Sequence, residues 1–203
     1  MTRAPYAAAV AAVLLLTGCA ASDPEPETTF IRPGGPDGST ATATPTSEPV
    51  SEADVAFLQD MIAHHAQAVT LASLAADRAA DPELASFAER IGQAQQAELD
   101  VMAQWLQQRG FGLDAHDHDP STMPGGVSAT VMARAEAATG AEFDALFIPT
   151  MVAHHRGALE MSQTRLDASG DASITRFAES IVAGQQLEIE RLEEIGVRLG
   201  VTQ

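Results

Sequence analysis

Apolar residues recur every three or four positions along several stretches between residues 51 and 199. This spacing is typical of one face of an α-helix that packs against a core. Asp81-Pro82 and Gly170-Asp171 interrupt the pattern and supply an N-cap for the following stretch, so the stretches predict helices paired as hairpins. The apolar positions of the first, second and last predicted helices are Val55, Leu58, Ile62, Val69 and Leu74; Leu84, Phe87, Ile91, Leu99, Met102 and Leu106; and Ile174, Phe177, Ile181, Ile189, Leu192, Ile195 and Leu199.

The two halves of this region share a repeated pattern. Residues 54–98 align with residues 144–188 without a gap, and sixteen of the 45 positions are identical. Each copy predicts one hairpin, over about 51–109 and 141–199, that is too small to enclose its own core. Two hairpins that pair their apolar faces form an all-α, four-helix bundle, which is the predicted fold of a domain spanning 51–203.

Two features complicate the pattern between and within the copies. Pro149 falls in the third predicted helix, where it either kinks the helix or delays its start. A long connection rich in Gly, Pro and Asp follows Gly110. A shorter helix is expected over 128–138, before the second copy begins.

The first fifty residues have a different composition. Arg3 is followed by an apolar run over 7–16 and by Leu16-Thr17-Gly18-Cys19, an order that resembles a bacterial lipoprotein signal. We therefore expect a signal peptide over 1–18 and a lipid on Cys19 that anchors the chain on the extracytoplasmic side of the membrane. An ordinary signal peptide with an incidental Cys is the alternative. Residues 19–50 are rich in Pro, Thr, Ser and Glu and predict a disordered tether.

Charge and composition exclude several classes of function. The chain has 28 acidic and 11 basic residues, all of the latter Arg, for a net charge of -17. A chain this acidic binds nucleic acid and anionic membranes poorly but attracts cations. Its single Cys excludes an intramolecular disulfide and a zinc ribbon.

The six histidines occur as three pairs. Two pairs follow a Met at helical spacing, in Met61-x-x-His64-His65 and Met151-x-x-His154-His155, so each Met shares a helix face with at least one His. If the helices of each hairpin rise equally from turns near residues 80 and 170, a Gln and a Glu of the partner helix reach the same level. The predicted layer contains His64, His65, His154, His155, Met61, Met151, Glu98 and Glu188, with Gln95 and Gln185 as weaker members.

Thioether and imidazole ligands together favour copper, above all Cu(I), over metals that prefer oxygen. Di-iron bundles place a Glu three residues before the His, whereas both copies here place Met there. Zinc fits less well because thioether is a poor zinc ligand. The alternative is that the Met residues fill the core and the His residues make a hydrogen-bond network. Weaker candidate ligands are Asp54 and Asp144, which align in the two copies, and His116, His118 and Met123 of the connection.

The segments that carry these motifs resemble a bacterial family, domain of unknown function 305 (DUF305). The resemblance rests on Met61-Ile62-Ala63-His64-His65, Met151-Val152-Ala153-His154-His155 and the Gln-Gln-x-Glu elements at 95–98 and 185–188, and it covers about 51–199. It implies a helical, ferritin-like fold. It also implies copper handling, because the family includes a periplasmic copper-binding protein linked to copper resistance.

These observations support a membrane-anchored lipoprotein that binds copper and either sequesters it or passes it to a partner protein. We expect metal ions and the membrane as partners, with a homo-oligomer as a further possibility and no nucleic acid. We do not expect an enzyme, although oxidation of Cu(I) or Fe(II) within the bundle is an open alternative. A structural or interaction module with a buried His network is the third hypothesis.

Overall fold

The structure, a computed structural model, describes residues 50–114 and 119–201. The expectations for residues 1–49, including Cys19, and for His116 and His118 lie outside the described residues. The long helices of the bundle are α1 (Glu52–Ser73), α3 (Pro82–Gln108), α5 (Ala141–Leu166) and α6 (Ala172–Leu199), and two short helices, α2 (Ala75–Arg78) and α4 (Ala129–Ala137), lie in the connections. The predicted all-α bundle is confirmed.

The helix boundaries follow local chemistry at most of the predicted positions. Asp81 caps α3 by accepting a hydrogen bond from the backbone N–H of Leu84 at 2.9 Å, with proline in the first turn. Asp171 caps α6 in the same way through the N–H of Ser173, at 2.6 Å. Ser51 directly precedes α1 but makes no side-chain capping bond. Pro149 lies within α5, eight residues after its first residue Ala141, so it does not delay that helix.

The core consists of two apolar clusters that pair the helices in antiparallel fashion. One cluster joins the C-terminal half of α1, through Leu71, to the N-terminal half of α5, through Phe147. The other joins the N-terminal half of α1, through Leu58, to the C-terminal half of α3, through Leu106. Because α1 and α5 run in opposite directions, their middle turns meet between the two clusters.

Two buried carboxylates connect each hairpin to the turn of the other. Asp144, near the start of α5, accepts hydrogen bonds from the backbone N–H groups of Ala80 (3.0 Å) and Asp81 (3.1 Å). Asp54, near the start of α1, accepts from the N–H of Asp171 at 2.8 Å and pairs with the buried guanidinium of Arg165. These bonds fix the register of the hairpins at both ends of the bundle.

A segment of the connection between the hairpins, residues 119–127, crosses the junction of α1 and α5; we call it the strap. Gln67 of α1 holds it by donating to the carbonyl of Val127 (3.0 Å) and accepting from its N–H (2.9 Å). The strap approaches α5 so closely that a Cβ added at Gly157 would lie 1.9 Å from the carbonyl oxygen of Pro124. Glycine is therefore required where the two backbones meet. Within 50–114 and 119–201, no helix combines the length and apolarity needed to cross a membrane.

Candidate metal centre

The two Met-x-x-His-His segments meet at the middle of the bundle. His64 of α1 and His154 of α5 stack their rings with centroids 3.7 Å apart and planes 29° from parallel. His65 and His155 flank this pair, and all four side chains are fully buried. The antiparallel packing of α1 and α5 thus brings together residues that are far apart in sequence, and we call these four residues the histidine layer.

The flanking histidines bind carboxylates of the neighbouring helices. His65 Nε2 donates to Glu98 Oε2 of α3 at 2.7 Å, and His155 Nε2 donates to Glu188 Oε2 of α6 at 2.8 Å. The hairpin geometry predicted both Glu residues at this level. Each carboxylate lies at the rim of the layer, with 26% of the Glu98 side chain and 19% of the Glu188 side chain exposed.

The stacked histidines bind backbone carbonyls instead. His64 Nε2 donates to the carbonyl of Pro124 in the strap, and His154 Nε2 donates to the carbonyl of His64, both at 3.0 Å. The two repeats therefore differ in the partner of this histidine, because the strap contacts His64 and the backbone of α1 contacts His154. Sequence reasoning did not identify Pro124 as part of the site. The signal for it lay in Gly157, just beyond His155, where a missing side chain admits a second backbone.

All four histidines leave the other ring nitrogen free. In the structure, the Nδ1 atoms of His64, His65, His154 and His155 are buried and make no hydrogen bond to any described residue. Burial lowers the pKa of His64 to about 4, with a further contribution from the neighbouring His65. Burial also lowers the pKa of His154 well below its ordinary value. The stacked pair is therefore neutral at pH 7, which is the form in which imidazole binds metals.

The predicted glutamines are buried one helical turn before Glu98 and Glu188 on α3 and α6. Gln95 and Gln185 are 1% and 2% exposed, and neither the oxygen nor the nitrogen of either amide finds a partner among the described residues. Buried amides without partners cost folding free energy, on the order of 1–3 kcal/mol for each unpaired group. Like the four free histidine nitrogens, these amide atoms are buried polar groups for which the described residues supply no partner.

The two methionines of the motifs occupy opposite edges of the layer. Met61 is fully buried and packs in the apolar cluster that contains Phe57 and Met102. Met151 is fully buried in the other cluster, which contains Phe147. Each methionine thus lies one helical turn before the histidines of its own helix, with its side chain in the hydrophobic core.

The weaker candidates have other surroundings. Asp54 lies ten residues before His64 on α1, which corresponds to about 15 Å along a helix, and its carboxylate binds Arg165 and the turn at Asp171. Asp144 is likewise engaged by the turn before α3, and burial raises its pKa. The structure does not bring either carboxylate to the histidine layer. Met123 is half-buried in the strap, directly before Pro124.

The donor set fits a soft ion better than a hard one. Among the residues that the structure describes, no three His, Cys, Asp or Glu side chains already surround a common metal position. A metal held here would use imidazole nitrogens with thioether or amide groups. This combination suits Cu(I), which accepts few ligands and prefers nitrogen and sulfur donors.

The comparisons with known proteins identify the family of this chain and support its fold. The sequence model of the family described as domain of unknown function (DUF305) matches residues 54–196. A DUF305 protein of Streptomyces coelicolor is 26% identical, with a TM-score of 0.69 over 74% of this chain and 96% of that one. A DUF305 fragment from Deinococcus radiodurans is 28% identical, with a TM-score of 0.69 over 75% of this chain and 99% of that one.

A third solved structure is that of CopM in its Cu(I)-bound form. It is 25% identical, with a TM-score of 0.60 over 71% of this chain and 96% of that one. CopM has also been solved in Cu(II)-bound and Ag-bound forms. No match is found among the curated proteins.

Proposed function

This chain belongs to the DUF305 family, and from that premise we propose that it is an extracytoplasmic protein that binds copper, preferentially Cu(I), in the histidine layer. Its ligands are His64, His65, His154 and His155, with Met61 and Met151 from the edges of the layer. The protein sequesters copper or delivers it to a partner. CopM, a structural relative, carries Cu(I), Cu(II) or Ag in its solved forms.

The observation that carries this proposal is the set of four buried Nδ1 atoms without partners. A polar atom that is buried without a hydrogen bond loses its interaction with water and gains nothing in return. One such atom is a local defect, whereas four on adjacent imidazoles form a set of potential ligands. Bound metal would satisfy such nitrogens, since neutral imidazole nitrogen donates a lone pair to soft and intermediate cations.

The two methionines of the motifs favour Cu(I) over Cu(II). Thioether sulfur is a soft ligand that binds Cu(I) well and binds oxygen-preferring cations poorly. Met61 and Met151 each lie one helical turn before a histidine of the layer, on α1 and α5. The buried, apolar surroundings of both sulfurs also favour the singly charged ion over the doubly charged one, because desolvating a higher charge costs more.

Anchoring belongs to the same proposal. The segment Leu16-Thr17-Gly18-Cys19 supports lipidation of Cys19, and the Streptomyces coelicolor relative is described as secreted. A lipid on Cys19 would hold the copper site at the outer face of the membrane. Fractionation of cells that express the Cys19→Ala variant tests this part. Release of the protein from the membrane fraction is expected, and unchanged retention would contradict it.

The copper site is tested by titrating the full chain, purified without an added His-tag, with Cu(I), Cu(II), Zn(II) and Fe(II). The matched variant replaces all four histidines of the layer by Gln, whose amide reaches the Nε2 position with an N–H and supplies nothing at Nδ1. We expect tight binding of Cu(I) to the unmodified chain and at least a hundredfold weaker binding to the variant.

Met102→Leu serves as the control, because Met102 is a fully buried methionine without a neighbouring His on its helix. It should bind Cu(I) like the unmodified chain. Equal Cu(I) binding by the four-Gln variant would contradict the proposed site. Dioxygen uptake on addition of Cu(I) or Fe(II) would instead indicate that the bundle oxidises the metal.

A further inference from the structure

The contacts of Glu98 and Glu188 point to a different role from that of a ligand. We propose that these two carboxylates are positioning residues, which hold His65 and His155 so that Nδ1 of each ring faces the metal, and that neither carboxylate binds the metal itself. This inference rests on the proposed copper-binding function and specifies how that site selects its ion. It differs from the expectation drawn from the sequence, in which both Glu residues were ligands.

The direction of the hydrogen bonds carries the argument. An ionised carboxylate accepts hydrogen bonds and cannot donate them. The contact between His65 Nε2 and Glu98 Oε2 at 2.7 Å therefore places a proton on Nε2, and the contact between His155 Nε2 and Glu188 Oε2 at 2.8 Å does the same. A neutral imidazole that is protonated on Nε2 has its lone pair on Nδ1.

The stacked pair obeys the same rule through different partners. His64 Nε2 and His154 Nε2 contact backbone carbonyl oxygens, which likewise only accept. In its neutral form, each of the four rings thus carries the proton on Nε2 and the lone pair on Nδ1, the atom that is buried without a partner in each of them. Carboxylates and carbonyls that fix metal-binding histidines in this way are a recurrent feature of metal sites.

The location of the two carboxylates explains why the site would prefer Cu(I) to ions that favour oxygen ligands. Glu98 and Glu188 lie on the outer side of their histidines and are partly exposed, whereas the Nδ1 atoms are buried. The imidazole ring separates each carboxylate from the Nδ1 side. The metal then meets nitrogen and sulfur donors without a hard oxygen ligand, which favours Cu(I) over Fe(II), Mn(II) and other oxygen-preferring ions.

The test uses NMR of the full chain with ¹⁵N-labelled histidine, and Ag(I) as a soft, diamagnetic probe. In the metal-free chain, the ¹⁵N shifts of His65 and His155 should show protonated Nε2 and unprotonated Nδ1. On addition of Ag(I), one-bond coupling between silver and ¹⁵N should appear at Nδ1. Coupling at Nε2 would overturn the proposal.

Two pairs of variants separate positioning from ligation. Glu98→Gln with Glu188→Gln keeps an acceptor oxygen, so the Nε2 proton should remain and Ag(I) affinity should fall less than tenfold. Glu98→Leu with Glu188→Leu removes the acceptor, so the rings should populate both tautomers and affinity should fall by about 10–100-fold. If both double variants lost Ag(I) affinity to the same large extent while the histidine tautomers stayed unchanged, the carboxylates would be ligands.

The matched control is Glu89→Gln with Glu179→Gln, since these exposed Glu residues lie on the same two helices and also align in the two copies. This pair should change neither the tautomers nor Ag(I) affinity. Failure of the unmodified chain to bind Ag(I) or Cu(I) at all would overturn the proposed function, and this inference with it. Binding through Nε2 or through a carboxylate would overturn this inference alone.

Discussion

Asp54 and Asp144 align in the two copies, but they have different partners. Asp54 is fully buried and paired with the buried guanidinium of Arg165, whereas Asp144 accepts two backbone hydrogen bonds. Asp54→Asn leaves a buried positive charge without its counter-ion and should lower the free energy of unfolding by about 3–5 kcal/mol. Asp144→Asn keeps one acceptor oxygen and should cost about 1–2 kcal/mol.

Urea unfolding of both variants at neutral pH measures this difference, with the unmodified chain as reference. Equal losses of unfolding free energy in the two variants would show that the pair with Arg165 adds nothing beyond the hydrogen bonds to the turn.

The sequence aligned the two Asp residues correctly but suggested them as weak metal ligands. It could not show their partners, because the turn that each one binds belongs to the other hairpin.

The methionines of the core separate packing from metal binding. Met61→Leu, Met151→Leu and Met102→Leu each preserve volume, so each should cost less than about 1.5 kcal/mol of stability. We expect the first two to weaken Cu(I) binding at least tenfold and to affect Cu(II) less, because the lost ligand is a soft thioether. Competition with a Cu(I) chelator measures the affinities. If the three variants bound Cu(I) with equal affinity, Met61 and Met151 would only fill the core.

The level of each residue within a hairpin was predictable, because every helical residue adds the same rise. Counting from the turns put Glu98 and Glu188 in the layer of the histidines, and the structure shows their partners there to be His65 and His155. The partner of His64 was not predictable in this way. Its Nε2 contacts Pro124 in the strap, and the path of such a connection depends on tertiary contacts that leave no periodic pattern in the sequence.

At the level of elements, the strap depends on the absence of a side chain in α5. Gly157→Ala would place a Cβ 1.9 Å from the carbonyl oxygen of Pro124. Although Ala is a better helix former than Gly, we expect the variant to lose about 1–3 kcal/mol of stability because the strap must move. Amide exchange of Val127, whose N–H binds Gln67, should become faster.

Gly184→Ala on α6 is the matched control, since nothing lies within 4 Å of the Cβ that it adds. It should stabilise the helix by about 0.5–1 kcal/mol and leave exchange at Val127 unchanged. Comparable gains in stability from Gly157→Ala and Gly184→Ala would mean that the strap does not pack against α5 in solution.

The helices themselves were predicted from periodicity, and α4 was found where a short helix was expected. Pro149 could have marked the start of α5, but that helix already begins at Ala141.

At the scale of the whole molecule, a metal in the histidine layer would connect the two hairpins. His64 and His65 belong to one hairpin, and His154 and His155 belong to the other. An ion bound by residues of both would stabilise the folded chain, because unfolding separates the ligands. At a free Cu(I) concentration of about 100 times Kd, the free energy of unfolding should rise by about 2.7 kcal/mol.

For a folded region of this size, that gain corresponds to a rise in Tm of about 5–10 °C. The dependence of the unfolding free energy on urea should keep its slope, since binding changes the stability of the native state and not the surface exposed on unfolding. If all ligands of the metal came from one hairpin, binding would stabilise that hairpin alone. The other hairpin could then unfold first. A second unfolding transition with bound Cu(I) would therefore contradict a site shared between α1 and α5. A single transition that shifts as a whole is the result we expect from four buried imidazoles that two antiparallel helices contribute, with the rings of His64 and His154 stacked across them.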